Sequence, residues 1–281
     1  MGQVRLRGLS RDQVDVRLPG CLRSGRGGGR HQPSPRKANA KQAGQRQAYG
    51  DLIVNFEHRG GGQNSLGGSV YQQIAEALTK GALKPGDRLK IRDLAQQAGT
   101  SVTPVRDAVL RLVHEGALAL RSPRDIRVPN LPEERYLEIR LIRLKLEGLA
   151  AERAAMNATP ADIARLERLT EDNEQALACK EFSRATAINQ IFHFELAEIA
   201  AMPTLRGILQ NLWLQMGPVI AAAYADGGRT MIEHHYHVIE AIRRHEPQAA
   251  KTAIREDILA GGGVILNNHI LIPPDSPDPQ S

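Results

Sequence analysis

The sequence is poor in cysteine and has no long hydrophobic run. Its 281 residues include two cysteines, Cys21 and Cys179, which fit neither a disulfide framework nor a zinc ribbon. A reducing cytoplasm is the simplest compartment. No stretch of about 18 consecutive apolar residues occurs, so no membrane-spanning helix is expected. The N-terminus is arginine-rich but lacks a continuous apolar segment, which argues against a secretory signal. Also missing are the paired Glu-x-x-His motifs of di-iron bundle enzymes, a serine nucleophile elbow and a phosphate-binding glycine loop.

What is present is an uneven charge distribution. The net charge is +6. Residues 1–65 hold 12 Lys and Arg against 4 Asp and Glu, residues 66–130 hold 10 against 6, and residues 131–281 hold 15 against 21. A basic first half and an acidic remainder suggest that only part of the chain meets a polyanion.

Residues 1–65, rich in Gly, Arg and Gln, show no sustained period and are expected to be a disordered basic extension. The short apolar patch DLIVNF is the one part of it expected to pack. Order is expected from near Ser69. In SVYQQIAEALTKG, Val70, Ile74 and Leu78 form one helical stripe ended by Gly81. LKPGDRL reads as a turn and IRDLAQQAG as a short helix ended by Gly99. A third helix follows, with Thr103 as N-cap, Pro104 at its first position, and Val105, Ala108, Val109 and Leu112 as its buried stripe. GALALRSPRDIRV reads as a β-hairpin.

Helix, helix, turn, helix, hairpin within residues 66–130 is the winged helix-turn-helix order, which puts the start of the third helix into the major groove. Arg106, in the first turn and off the apolar stripe, can reach a phosphate or a guanine edge. Thr103 can offer its hydroxyl or backbone N–H to a phosphate.

Residues 131–266 show no strand pattern. Pro132, Pro160, Pro203 and Pro247 each stand where a helix would begin, and TPAD at 159–162 resembles a capping box. Leucines 141, 144, 146 and 149 mark the first helix. Ile191, Phe192, Leu196 and Ile199 mark another, and Leu205, Ile208, Leu209 and Leu212 a third. Six or seven helices with short turns predict an antiparallel bundle, followed by a disordered tail at 267–281. The fold class is therefore mostly α, an N-terminal winged helix-turn-helix plus a C-terminal antiparallel all-helical bundle.

The stretches GALKPGDRL, IRDLAQQAG, SVTPVRDAVLRLVHEGAL and RDIRVP resemble, in order and spacing, the DNA-binding domain of the GntR superfamily of bacterial transcription regulators. The resemblance carries DNA contacts onto Arg92, Thr103, Arg106 and the wing around Arg124. Val102 stands where the family often has Arg, and Asp125 where the wing tip usually has Gly, so base readout and wing contact are expected to differ. RLKLEGLAAERAA, NQIFHFELAEIA and HHYHVIEAIRRHEPQAAKTAI resemble the FadR-like effector-binding domain called FCD.

Spacing alone suggests a metal site. Asn189 and His193 are i, i+4 on one helix. His235 and Asp257 lie on the next helical hairpin, each 11 residues from its turn near Glu246. These four residues can therefore converge, with ligand types suited to zinc, nickel or manganese. Resemblance agrees, since FCD domains often bind a divalent metal through Asp or Asn, a His four residues later and two further His. Here Asp257 replaces the last His. Arg143 aligns with a position often facing the effector and can pair with a carboxylate; its plainer role is an ion pair with Glu147 at i+4.

The expected function is a cytoplasmic, homodimeric, sequence-specific regulator. It binds a double-stranded DNA operator and responds to a small organic acid, with a divalent metal as possible cofactor. The alternative is a metal-dependent helical-bundle enzyme fused to a DNA-binding domain. A nonspecific architectural binder using the basic arm would show salt-sensitive binding without sequence preference.

Overall fold

The computed structural model describes residues 63–122, 124–268 and 270–273. The expectations for residues 1–62 (the bulk of the basic extension, DLIVNF and Cys21) and for residues 274–281 lie outside the described residues.

Helix α1 (Gln63–Thr79) begins six residues before the expected Ser69. Its stripe of Val70, Ile74 and Leu78 is buried as its spacing requires. Gly81 follows with φ +70°, a left-handed value that favours glycine. The LKPG segment makes the turn, held by Lys84 N–H donating to Asp87 Oδ2 at 2.8 Å. Its continuation, Arg88–Leu89, is a strand, β1, which the turn reading missed. Two residues are too short to show alternation in sequence; pairing with a distant strand makes them extended.

Helices α2 (Ile91–Gln97) and α3 (Val102–His114) form the helix-turn-helix. The N-cap of α3 is Ser101, not Thr103, so Pro104 is the third helical residue rather than the first. Proline is tolerated there because the first-turn N–H groups have no intrahelical acceptor. Strands β2 (Ala119–Ser122) and β3 (Asp125–Arg127) are the expected hairpin. They join β1 in an antiparallel sheet of order β1-β3-β2, with Ile126 opposite both Leu89 and Leu120. Ile74, Leu78, Leu89, Leu112 and Ile126 share one hydrophobic core.

The remainder is a bundle of α4 (Glu133–Asn157), α5 (Pro160–Ala178), α6 (Phe182–Ile199), α7 (Pro203–Gly227), α8 (His234–Arg243) and α9 (Pro247–Asn267), with a short 3-10 helix at Gly228–Met231. Prolines 160, 203 and 247 open their helices, and Pro132 is the N-cap of α4. Thr159 and Asp162 form the expected capping box, with the Thr159 N–H donating to Asp162 Oδ2 at 2.9 Å. Helix ends at Lys180, Ala201 and His245 turn through positive φ without glycine, each a cost of about 1–2 kcal/mol that surrounding packing must offset.

Of the residues that mark these helices, Leu144 is buried, but Leu141 and Leu149 on α4 are exposed, as are Ile191 on α6 and Ile208 on α7. The α4 face turned inward instead carries Ile139, Arg143, Glu147, Ala150, Ala151 and Ala154. One expectation for this half needs correction, since part of the expected disordered tail is ordered. Glu133 N–H donates to Ile272 O at 3.0 Å, Ile272 N–H donates to Leu131 O at 3.2 Å, and Leu271 enters the bundle core.

Candidate ligand centre and nucleic-acid face

The centre of the bundle is polar. Arg143, Glu147, Asn189, His193, His235 and Asp257 are all buried there. α4 contributes the first two at i, i+4, α6 the next two at i, i+4, and α8 and α9 one each. His235 and Asp257 face one another across the α8–α9 hairpin, Nε2 to Oδ1 3.6 Å. Equal distance from the turn sets this level.

Glu147 organises the group. Its Oε1 accepts from Arg143 Nε at 2.5 Å, and its Oε2 lies 2.6 Å from His193 Nδ1. Arg143 also stacks over the Trp213 ring at 4.4 Å. The other nitrogen of His193, Nε2, is 3.3 Å from Asp257 Oδ2. Burial would raise the Glu147 carboxyl, but Arg143 and His193 outweigh it and hold it down to about 2. Burial would likewise lower His193, yet the Glu147 and Asp257 carboxylates raise it to about 9. His235 stacks on Phe192 at 3.8 Å. Burial lowers its pKa to about 4 despite Asp257.

Several buried atoms at this centre have no hydrogen-bond partner: Asn189 Oδ1, both ring nitrogens of His235, and Asp257 Oδ1. Unpartnered buried polar atoms normally cost about 1–3 kcal/mol each. One donor atom from each of His193, His235 and Asp257 lies within 4.8 Å of the others. Nitrogen and oxygen donors at that spacing fit a divalent borderline ion. The adjoining cavity, lined by Arg143, Asn189, His193, Trp213 and Asp257 among others, holds about 30 Å³, room for one ion or water.

Three of the four metal candidates, His193, His235 and Asp257, thus come together, while Asn189 lines the same cavity as His193 and Asp257, and Arg143 borders it while paired to Glu147. Sequence reasoning missed the bond from Glu147 to His193 and the part played by Trp213. Glu147 had been visible only as the i+4 partner of Arg143.

At the other end, Arg92, Thr103, Arg106 and Arg124 are all exposed. Arg92, Arg106 and Arg124 border one open groove together with Arg88, Lys90 and Val102; Thr103 is beside it on the first turn of α3. Asp125, at the wing tip, lies 3.1 Å from Nε of both Arg88 and Arg127. Arg88 Nη2 also donates to Arg124 O at 3.0 Å. The wing is therefore stiffened by an ion-pair cluster.

One helix touches both regions. On α7, Trp213 and Ile220 border the cavity, whereas Leu214 belongs to the core of the winged domain. A Cβ built on Gly217 would lie 2.7 Å from Thr79 Cα, and one on Gly81 would lie 2.3 Å from Ala221 Cβ. Glycine at these positions permits α1 and α7 to approach closely.

Residues 66–128 match the bacterial regulatory proteins of the gntR family, and residues 138–260 match the FCD domain. The HTH-type transcriptional regulator McbR of Escherichia coli is 33% identical over 196 residues, covering 68% of this chain and 89% of McbR. The HTH-type regulator YdhC of Bacillus subtilis is 26% identical over 184 residues, covering 64% of this chain and 82% of YdhC. The solved McbR/YncC structure superposes with a TM-score of 0.68 at 30% identity, covering 73% of this chain and 98% of the other. A GntR regulator from a Rhodococcus species shares the fold, with a TM-score of 0.63 at 18% identity, over 73% of this chain and 99% of the other. No described helix is long and apolar enough to cross a membrane. The chain belongs to the GntR family of bacterial transcriptional regulators, in the FadR-like branch with an FCD domain, and is a DNA-binding regulator rather than an enzyme.

Proposed function

We propose that this regulator is controlled by a divalent metal and a small carboxylate effector held in the helical half, residues 131–266, while residues 66–130 bind the operator. The carrying observation is the set of unpartnered buried atoms on Asn189, His235 and Asp257 beside His193. His193, His235 and Asp257 would hold the metal, with Asn189 in support. A bound divalent ion supplies a Lewis-acidic point for a carboxylate.

Charge supports this reading. Without metal, Arg143 and protonated His193 balance Glu147 and Asp257. A divalent ion held by His193, His235 and Asp257 would take the place of the His193 proton and would leave one positive charge in excess. An acidic effector would neutralise it. The cavity of about 30 Å³ is too small for an organic acid, so binding requires the lining helices to part. Helix α7 lines that cavity and docks against α1, which supports a route from effector to the DNA-binding half.

In the DNA-binding half, Arg106 and Thr103 would reach the major groove from the start of α3, with Arg92 and Arg124 on the flanking backbone. The chain would act as a homodimer. Ile142, Leu149 and Met156 recur every seven residues on α4 and are exposed. An exposed apolar stripe on a helix fits a second copy.

The experiment is metal analysis of untagged protein, with thermal shifts on adding metal and then small carboxylates. Wild type should carry about one metal per chain, and carboxylates should stabilise only the loaded form. His193→Ala should lose both effects. Wild-type protein that refolds metal-free and binds a carboxylate with unchanged affinity would overturn the metal's role.

A further inference from the structure

The groove beside α3 is lined by five cations, Asp93 and four apolar residues, and of the apolar ones (Leu89, Ile91, Val102 and Ile126) Val102 is the exposed one. The cations are Arg88, Lys90, Arg92, Arg106 and Arg124. Val102 is the first residue of α3 and is 37% exposed. Arg106 lies at i+4 from it, so the two share one face. Val105, Ala108, Val109 and Leu112 take the buried face.

Val102 stands at the edge of the buried face, with Val105 at i+3, and its side chain is not part of the hydrophobic core of the winged domain. A β-branched residue is a middling helix former, and an acidic or small polar residue suits a helix's first turn better. A single exposed valine carries no meaning by itself; its place beside Arg106 at the head of α3 does. The N-terminal residues of such a helix meet base edges in the major groove. An apolar side chain finds one apolar partner there, the 5-methyl group of thymine.

We infer that Val102 is a specificity-determining residue that packs against a thymine methyl next to the base pair or phosphate met by Arg106. The inference rests on the proposed entry of α3 into the major groove. It assigns thymine preference to a side chain that makes no hydrogen bond, and separates this methyl readout from the ionic contacts of the surrounding arginines.

The test needs no operator known beforehand. A preferred duplex is selected from a random pool with the full-length wild-type protein. Each thymine is then replaced singly by deoxyuridine, which removes only the methyl group. Wild type should lose about four-fold in affinity at one thymine per bound helix, the transfer value of one buried methyl-sized group. Val102→Ala should bind the parent duplex several-fold more weakly and be indifferent to deoxyuridine at that thymine. It should stay sensitive to Arg106→Ala and fold normally, since the side chain is outside the core. A flat deoxyuridine scan of wild type, which depends on no variant, would overturn the inference; so would a Val102→Ala protein as methyl-sensitive as wild type. In either case Arg106→Ala separates the causes. If it weakens binding, α3 still faces the DNA and only the role of Val102 falls; if it does not, the groove entry falls too.

Discussion

Nδ1 of His193 lies 2.6 Å from Oε2 of Glu147, and this contact fixes which way the imidazole faces. With Nδ1 committed to the carboxylate, Nε2 is turned toward Asp257 at 3.3 Å and toward the unpartnered His235. A carboxylate behind a ligating histidine orients the ring and raises its basicity. Glu147 also neutralises buried Arg143, so Glu147→Gln leaves that cation without a carboxylate. Breaking such a pair costs about 3–5 kcal/mol, and metal affinity should fall about 10–100-fold. Urea unfolding and zinc titration measure the two effects. The double variant Arg143→Met with Glu147→Leu should recover stability but not affinity. Unchanged stability and affinity in Glu147→Gln would show that the contact organises nothing.

The same groups set a pH dependence for the metal-free protein. His193 is raised from 6.5 to about 9 by its carboxylate neighbours. Its contribution is complete below pH 6.5 and is lost as pH rises through 9. His235 is lowered from 6.5 to about 4 by burial. The unfolded chain then takes a proton that the folded chain refuses, so stability declines as pH falls from 6.5 to 4. Glu147, held down to about 2, adds a further loss below pH 4.5. Maximum stability is therefore expected near pH 6.5, with slopes on the order of 1 kcal/mol per unit on either side. Urea melts of chelator-treated protein from pH 4.5 to 9 test this. His193→Gln should flatten the alkaline limb and His235→Gln the acid limb, and a flat wild-type profile would refute the scheme.

The order of elements was legible where an end had a local cause. Pro160, Pro203 and Pro247 start helices by fixing φ, and Gly81 and Gly99 end them through positive φ. The convergence of His193, His235 and Asp257 was legible because helical period and hairpin symmetry are geometric. Less could be read where tertiary packing overrode local pattern. Strand β1 exists because β3 pairs with it. The leucines of α4 marked a helix but not its buried face, which carries Arg143 and Glu147 beside Ile139, Leu144 and alanines, since the bundle interior at that level is a polar site. Only the partners across the bundle distinguish a buried ion pair from a solvated i, i+4 pair.

Gly217 tests the contact between α7 and α1. Glycine to alanine inside a helix normally gains about 1 kcal/mol. Here the added methyl would meet Thr79 Cα at 2.7 Å and Leu78 O at 3.2 Å, both backbone atoms that cannot swing aside. Gly217→Ala should instead destabilise by about 1–3 kcal/mol. It should also shrink the difference in operator affinity between metal-loaded and chelator-treated protein. A variant as stable as wild type, with the full metal response, would remove α7 as the connection.

The exposed stripe on α4 predicts the assembly. Leu149→Glu places a charge at the middle of the Ile142, Leu149, Met156 series. If two copies meet there, light scattering should show the mass halved at micromolar concentration, while helical content stays unchanged. Operator binding should weaken as the two half-sites uncouple. A variant with wild-type mass would put the dimer contact elsewhere.

Arg106 is exposed near the start of α3, in its second turn, and borders the basic groove. An arginine there can meet a guanine edge or a phosphate, and the two roles differ in what they cost. Loss of a base contact should weaken specific binding by about 1–3 kcal/mol and relax preference at one base pair. Loss of a phosphate contact should weaken all sequences alike and reduce the salt slope by about one. Arg106→Ala titrated on the selected duplex and on random duplexes, at several salt concentrations, distinguishes them. The open groove and the lack of any carboxylate within ion-pair distance of Arg106, among the described residues, leave its guanidinium available. Equal affinity for both duplexes before and after the substitution would exclude Arg106 from the contact surface.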